Sequence, residues 1–287
     1  MRVAVVGAGR VGTGVAVLLQ RAGHRIEAVS GRGPTRDRAA RYLPGVPVLE
    51  AVAAAETAEL VVLGVPDDLI ARTAEALAGA GAVAPGRWVT HLSGARGLDA
   101  LVAVREAGGG RLAIHPLQTF PDVVSAIDGI PDCAVAVTAD DDAGYRVAER
   151  IADDLLGVPF RLDDDLRAGY HAAAVFASNY LVATSAVAAD LFASVGVPDP
   201  VHAMQPLQRT TLDNVARLGP DAALTGPVVR GDAGTIERNL EAIAEAMPKA
   251  VPAYVALARV ALDLAERAGR LDVDARTRVD EVLARWS

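Results

Sequence analysis

The chain has 287 residues, of which 52% are hydrophobic, and 36 acidic against 28 basic side chains give it a net charge of −8. At about 150 residues per domain, this length predicts two domains with room for full hydrophobic cores. The negative charge argues against nucleic acid as the main partner, because phosphate contacts require clustered lysine and arginine. The single cysteine, Cys133, can form neither an internal disulfide nor a cysteine-based metal site, which favours a cytoplasmic location.

Two stretches have some features of export or membrane signals, but their residues favour another interpretation. Arg10 and several glycines interrupt the apolar stretch that follows Arg2, so we expect no signal peptide. The longest uncharged run, residues 172–189, reaches the lower length limit of a membrane span, yet it is rich in alanine and contains four polar residues, Ser178, Asn179, Thr184 and Ser185. We therefore expect a helix buried in a domain core or a dimer core, and no membrane contact.

Short β-branched runs alternate with helical patterns through residues 1–162, which predicts a doubly wound, mostly parallel sheet covered by helices on both faces. The predicted strands are residues 2–6, 26–30, 60–65, 87–92, 112–115, 133–137 and 159–162. The helical patterns between them cover residues 11–22, 69–78, 98–107 and 143–156.

Beyond residue 162 the strand pattern ends. The acidic triplet 163–165 begins a long helix that runs to about Val195, where Gly196 and Pro198 end it. Further helices are predicted over residues 202–218, 235–247, 251–268 and 274–285. The sequence therefore predicts a dinucleotide-binding α/β domain at residues 1–162 and an all-helical substrate and dimerisation domain at residues 163–287.

Residues 7–12 match the dinucleotide-binding pattern G-x-G-x-x-G in a sequence context that supports it. The motif directly follows the first predicted strand and opens the first predicted helix, and its residues are Gly7, Ala8, Gly9, Arg10, Val11 and Gly12. Such a loop provides a tight turn, a close backbone approach to a pyrophosphate and a helix N-terminus directed at the phosphates. A glycine-rich turn without a ligand is the alternative.

The end of the second strand favours NADP over NAD. NAD-binding domains usually have Asp or Glu after the second strand, whereas this chain has Ser30 and Arg32 with two further arginines close behind. Guanidinium groups suit the 2′-phosphate of NADP, although a solvated loop is the alternative. Val65 and Pro66 follow the third strand, and we expect them to contact the cofactor because strand carboxyl ends border the ligand crevice.

The predicted reacting groups are Ser93, which follows the strand 87–92, and His115, which ends the strand 112–115. Both are expected at the same crevice, where a histidine can exchange a proton with a substrate near neutral pH and a serine hydroxyl can orient it. The alternatives are a turn cap for Ser93 and a structural role for His115.

The helical domain offers three more polar candidates. His171 and Asn179 share one face of the long predicted helix, so they contact either a ligand or neighbouring helices. Arg230, in the turn-rich segment 224–232, can bind a substrate carboxylate bidentately, or it belongs to a surface turn. The acidic triplets 140–142 and 163–165 lack metal-ligand spacing, so we expect no metal.

The chain resembles a bacterial family that joins a Rossmann-like domain to a helical domain of unknown function. The stretches that carry this resemblance are residues 92–95, 114–118, 170–173 with 178–179, and 224–232. That family is similar to 6-phosphogluconate dehydrogenase, pyrroline-5-carboxylate reductase and prephenate dehydrogenase. The resemblance implies a C-terminal domain like that of 6-phosphogluconate dehydrogenase, NADP binding and a homodimer formed through the helical domain, but no particular substrate.

The lysine mechanism of some similar enzymes is disfavoured. β-Hydroxyacid dehydrogenases of this architecture use a lysine four residues before an asparagine on the long helix. If Asn179 corresponds to that asparagine, Val175 stands at the lysine position, and the only lysine, Lys249, lies in another segment.

The sequence therefore favours an NADP(H)-dependent oxidoreductase that transfers a hydride between nicotinamide and a small, carboxylate-bearing hydroxy/keto or amino/imino compound. In this interpretation His115 is the acid/base and Ser93 orients the substrate, while His171 and Asn179 line the far wall and Arg230 anchors a carboxylate. A non-catalytic NADP-binding sensor or regulatory protein is the alternative, which the missing lysine favours. A dinucleotide fold that has lost its ligand is a third.

Overall fold

The computed structural model describes residues 1–287, which divide into two compact units, Met1–Ser178 and Asn179–Ser287. The first unit contains all the strands with their flanking helices, and the second contains only helices. The predicted fold class, a doubly wound and mostly parallel sheet followed by a helical part, is confirmed.

The strands are β1 (Arg2–Val6), β2 (Arg25–Ser30), β3 (Leu60–Leu63), β4 (Trp88–His91), β5 (Gly110–Pro116), β6 (Ala134–Ala139) and β7 (Val158–Arg161). The helices of the first unit are α1 (Arg10–Arg21), α2 (Thr35–Tyr42), α3 (Ala51–Glu56), α4 (Ile70–Gly79), α5 (Val102–Glu106), α6 (Val123–Gly129), α7 (Asp142–Asp154) and α8 (Arg167–Ala177). Those of the second unit are α9 (Asn179–Ser194), α10 (Pro200–Leu218), α11 (Pro220–Ala223), α12 (Ala233–Ala246), α13 (Val251–Arg267) and α14 (Val273–Arg285).

The seven strands form one sheet in the order β2-β1-β3-β4-β5-β6-β7. Strands β1 to β5 run parallel, β6 runs antiparallel to β5, and β7 runs parallel to β6. The carboxyl ends of β1 to β5 therefore lie at one edge of the sheet. Open α/β sheets bind their ligands at this edge, near the strand where the winding direction reverses, which here is β1.

The central strands are buried on both faces, as a helix-covered parallel sheet requires. Every side chain of β3 is buried, and alternate residues of this strand enter apolar clusters on opposite faces of the sheet. One cluster contains Leu19 of α1 and Ile151 of α7, and the other contains Leu77 of α4. Burial on both faces explains why these strands occur in the sequence as continuous apolar runs.

Helix α8 belongs to the first unit, so the units divide later in the chain than the boundary expected near Leu162. Arg167, the first residue of α8, donates hydrogen bonds to the Thr138 hydroxyl on β6 and to the Ser93 carbonyl. These bonds attach α8 to the sheet.

The predicted single helix from residue 163 to Val195 is interrupted at Ser178, where the backbone angles (φ −123°, ψ −68°) leave the helical region. By length and composition alone, the stretch Asp164–Ser194 is apolar enough to cross a membrane, with a mean hydropathy of 1.5. One such helix is weak evidence for a membrane protein.

The core of the second unit lies among α12, α13 and α14, where Leu240, Leu262 and Leu283 are buried. In contrast, α9 has no buried residue and α10 has only Met204. The expectation that residues 172–189 are buried in a domain core is therefore wrong, because none of them is buried within this chain. Burial in a dimer core stays a prediction.

Candidate functional site

Two glycines of the loop after β1 are required by the packing of the protein itself. Gly7 has a φ of +92°, and a Cβ at this position would lie 2.6 Å from the backbone carbon of Gly64. A Cβ at Gly12 would lie 2.5 Å from the Gly7 carbonyl oxygen. Glycine at these positions allows α1 to approach β1 and β3 this closely.

Gly9 differs, because no protein atom crowds it. A Cβ at Gly9 would meet only the Gly7 carbonyl oxygen, at 4.0 Å. Gly9 is also the N-cap residue of the 12-residue helix α1, and no side chain caps this terminus. The space that a side chain would fill therefore lies at an uncapped helix N-terminus, an arrangement that suits a pyrophosphate.

A cavity of about 470 Å³ opens beside this loop, at the carboxyl ends of β1, β2 and β3. Most of the residues predicted to bind the cofactor line this cavity, namely Gly7, Ala8, Gly9, Ser30, Arg32, Val65 and Pro66. The other three, Arg10, Val11 and Gly12, lie in α1 and outside the lining. The sequence did not single out Thr35, Glu50 and Thr73, which also line it.

The cavity is basic beside β2. Arg38 donates through Nε to the Ala8 carbonyl oxygen at 3.0 Å and through Nη2 to the Thr35 hydroxyl at 3.1 Å. Arg32 is exposed in the same lining, where Glu50 is the one acidic residue. Two guanidinium groups against one carboxylate favour an anionic ligand such as a phosphate.

A second group of polar side chains lies where β4 and β5 end, with His115 at its centre. Nδ1 of His115 lies 2.7 Å from the Tyr170 hydroxyl of α8, and the two rings meet edge to face with centroids 5.5 Å apart. The other ring nitrogen, Nε2, makes no hydrogen bond. It lies beside Gly94, where a Cβ would come within 2.9 Å of it. Glycine at position 94 therefore leaves this edge of the imidazole uncovered.

The His115 imidazole is neutral near pH 7. Burial, then the charge of Arg167 and then that of His171, lower the pKa of His115 to about 4. Burial raises the pKa of Tyr170 to about 12, so its hydroxyl keeps its proton. This differs from the near-neutral titration that the sequence alone led us to expect for His115.

Ser93 is buried, and its hydroxyl is fully occupied. It donates a hydrogen bond to Oδ2 of Asp67 at 2.6 Å and accepts bonds from the amides of Ala95 and Arg96, at 3.2 and 3.0 Å. A hydroxyl has one proton and two lone pairs, so these three bonds use its full capacity in this structure. The arrangement agrees with the turn cap that the sequence offered as the alternative, and it joins the loop after β3 to the loop after β4. The role of Ser93 in orienting a substrate stays a prediction.

Arg167 is only 1% exposed and connects the cluster to the sheet. Its Nη1 lies 2.8 Å from the Thr138 hydroxyl and its Nη2 lies 2.6 Å from the Ser93 carbonyl oxygen, while Nε has no partner. His91 is fully buried in the sheet, and burial lowers its pKa to about 4. A buried guanidinium beside these imidazoles disfavours their protonation.

The remaining predicted site residues lie in different places. His171 is on α8 next to Tyr170, and its Nδ1 is buried without a hydrogen-bond partner. Asn179 and Arg230 belong to the second unit and are exposed. The structure thus brings His171 close to His115, whereas Asn179 and Arg230 are in the other unit.

Tyr170 and Gly94 were not identified as site residues from the sequence. A usable signal for Tyr170 was its spacing from Arg167, since residues three apart share a helix face. A single arginine in an otherwise apolar, alanine-rich helix marks the face that packs on polar groups.

Comparisons with known proteins agree with this architecture. Residues 1–116 match the family model of a Rossmann-like domain, and residues 133–261 match DUF2520, a domain of unknown function. Two family models therefore match the chain, the Rossmann-like one in its first part and DUF2520 in its second. This confirms the family resemblance inferred from the sequence. No curated protein matches the chain.

Solved structures share the fold of this Rossmann–DUF2520 chain. A candidate NADP oxidoreductase from Bacteroides fragilis is 24% identical, with a TM-score of 0.73 over 91% of this chain and 98% of that one. An imine reductase from Streptomyces aurantiacus is 21% identical, with a TM-score of 0.64 over 98% and 99%. A pyrroline carboxylate reductase from Plasmodium falciparum with NADP bound is 10% identical, with a TM-score of 0.60 over 97% and 98%. A prephenate dehydrogenase is also among the matches, as the resemblance implied.

Proposed function

We propose that the Rossmann–DUF2520 chain is an NADP(H)-dependent oxidoreductase acting on a small, carboxylate-bearing hydroxy/keto or amino/imino substrate. The observation that carries the proposal is the order of functional groups along one sheet edge. The glycine loop follows β1, and His115 ends β5, three strand spacings of ~4.8 Å or about 14 Å away. Fold neighbours named as an NADP oxidoreductase and as imine and pyrroline carboxylate reductases support this reaction class.

The cofactor would supply the hydride, and the protein would bind the cofactor and the substrate and exchange the proton. Bound NADPH would supply a hydride to the substrate carbon. The amides at the N-terminus of α1 would hold the pyrophosphate, with Val65 and Pro66 as apolar contacts. The uncovered Nε2 of His115 would hydrogen-bond the substrate nitrogen or oxygen and exchange a proton with it. Arg230 stays a sequence-based candidate for binding the carboxylate.

NADP is proposed over NAD because of the charges beside β2. Arg32→Ala should raise the KM for NADPH on the order of tenfold or more, since a hydrogen-bonded charge pair is lost, and should leave the KM for NADH unchanged. Arg36, which is exposed and outside the cavity lining, provides the control: Arg36→Ala should change neither value. Equal losses for both cofactors in Arg32→Ala would argue against a 2′-phosphate site.

The test of the function is NADPH oxidation with a panel of cyclic imines and keto acids, preceded by calorimetric titration of NADPH. We expect turnover of at least one substrate, and we expect His115→Ala to abolish it with NADPH affinity nearly unchanged. Binding without oxidation across the panel would favour the sensor alternative. No heat of binding would favour a fold that has lost its ligand.

We also propose a homodimer formed through the helical unit, located in the cytoplasm. Helices α9 and α10 bury almost nothing within the chain, and they expose large apolar side chains, including Leu181, Val182, Val201 and Leu207. Obligate dimer interfaces resemble a core cut in half, which suits such a surface. A lone free cysteine is compatible with a reducing compartment.

A further inference from the structure

We infer that Tyr170 is the proton source of the proposed reduction and acts through Nδ1 of His115. His115 then receives a proton at one ring nitrogen as it gives one from the other, and it never becomes an imidazolium cation. This inference rests on the proposed function and assigns a role to a residue that does not itself touch the substrate.

The first step of the argument is connectivity. Tyr170 is the only group hydrogen-bonded to His115, with 2.7 Å between its hydroxyl oxygen and Nδ1. Its ring is held between the His115 imidazole and Phe160, whose centroid lies 5.9 Å away. The opposite nitrogen, Nε2, has no partner and faces the position that lacks a side chain at Gly94. One ring nitrogen is thus connected to a phenol and the other is open to a ligand.

The second step is proton supply. A neutral imidazole carries one ring proton, and giving it away without receiving another would leave an anion. With the pKa of His115 at about 4, no second ring proton is present near pH 7. A proton must therefore arrive at Nδ1 as one leaves Nε2. The other polar neighbours make no hydrogen bond to His115: Asp67 accepts a bond from Ser93, His91 Nε2 is bonded to the Gly97 carbonyl oxygen, and Nδ1 of His171 has no partner.

The proposed transfer balances. The substrate carbon receives two electrons and a hydrogen as hydride from the reduced nicotinamide, and the substrate nitrogen or oxygen receives the proton from Nε2. Nδ1 takes the Tyr170 hydroxyl proton, so the imidazole is neutral before and after, in the opposite tautomer. Tyr170 becomes a phenolate, which the nearby positive charge of Arg167 favours against the effect of burial. Nε2 then takes a proton from water as Nδ1 returns its proton to the phenolate, which restores the starting tautomer.

The experiment compares Tyr170→Phe, which removes only the hydroxyl, with Tyr145→Phe as a control in the same unit. Each variant is given a neutral cyclic imine and the corresponding N-methyl iminium ion, whose nitrogen needs no proton. For Tyr170→Phe we expect the kcat for the imine to fall on the order of 10²-fold, with KM and the rate on the iminium ion nearly unchanged. Tyr145→Phe should match the wild type on both substrates.

Equal losses on both substrates would show a structural role for Tyr170, and no loss on the imine would remove it from the proton path. The imine is taken from those that the wild type reduces in the panel, and a wild type that reduces no member of the panel would refute the proposed function itself. A readout without cofactor is the ¹⁵N NMR spectrum of the histidine rings. We expect the His115 tautomer with the proton on Nε2, which Tyr170→Phe should weaken. A proton on Nδ1 in the wild type would overturn the relay, because Tyr170 could not then donate to it.

Discussion

At the residue scale, the absence of a side chain at position 94 controls access to His115. Gly94→Ala would place a Cβ 2.9 Å from both Nε2 and Cε1 of the imidazole. We expect turnover to fall on the order of 10²-fold or more, as for loss of an acid–base group, while NADPH affinity stays near that of the wild type.

The matched control is Gly169→Ala on α8, where an added Cβ would meet nothing within 4 Å. This change should keep activity and add up to about 1 kcal/mol of stability, because alanine favours a helix. Wild-type turnover in Gly94→Ala would show that the exposed edge of His115 is not where the substrate binds.

Two histidines, the buried His91 and the half-buried His115, also determine how stability depends on pH. In the folded protein the pKa values of His91 and His115 lie at about 4, whereas unfolded histidines titrate near pH 6.5. Between these values the unfolded state binds more protons, so the free energy of unfolding should fall as the pH drops from about 6.5 to about 4.

Urea unfolding at several pH values checks this prediction, and His115→Gln should reduce the slope. The groups that act on His115 are Arg167 and His171, which disfavour its charge, with Asp67 opposing them and His91 adding to them. Constant stability across this range would mean that both imidazoles are protonated in the folded protein.

Sequence reasoning placed the glycine loop and His115 at strand ends, where the structure also has them, because strand ends are readable from the chain. It could not show that the Ser93 hydroxyl donates to Asp67, because Asp67 lies 26 positions earlier in the sequence. Gly94 was not identified for a similar reason. The group that a side chain at this position would crowd is the His115 ring, which lies on another strand.

At the element scale, the β1–α1 unit contains glycines with two different roles. Gly12→Ala should lower stability by about 1–3 kcal/mol through overpacking, because its Cβ would lie 2.5 Å from the Gly7 carbonyl oxygen. Gly9→Ala should leave the cofactor-free protein nearly as stable as the wild type but should abolish stabilisation by NADPH.

Thermal unfolding with and without NADPH separates the two variants. If Gly9→Ala still gains the same stability from NADPH as the wild type, the pyrophosphate does not bind at this helix N-terminus.

The central strands were predictable because buried parallel strands are continuous apolar runs. Strand β7 was also predicted, although it is mostly exposed. The direction of β6 was not, since strand pairing is a tertiary property. Helices α2, α3 and α6 were missed because they are short, with 8, 6 and 7 residues, and contain too few turns to show a helical period. The break between α8 and α9 has no sequence signal, because Ser178 is neither glycine nor proline.

At the scale of the whole molecule, the exposed apolar surface of α9 and α10 predicts a homodimer. Val182 on α9 is 68% exposed, and Val182→Glu should convert the dimer to a monomer by placing a charge in the interface. Val273→Glu, at the start of α14 and 79% exposed, should leave the dimer intact. Light scattering after size exclusion measures both, and a monomeric wild type would contradict the prediction.

The two-part organisation could be predicted from the sequence, because the strand pattern stops at residue 162. The exposure of residues 172–189 could not be predicted. An apolar helix that its own domain covers and an apolar helix that stays exposed have the same composition.

A crystal structure of the complex with NADP⁺ tests most directly whether the dinucleotide lies along the carboxyl ends of β1 to β5. We expect the pyrophosphate at the amides that begin α1, the 2′-phosphate beside Arg32, and the nicotinamide ring at the ends of β4 and β5, facing Nε2 of His115. A pyrophosphate bound elsewhere, or a nicotinamide ring at the opposite edge where β6 and β7 end, would contradict the proposed chemistry and leave only the fold.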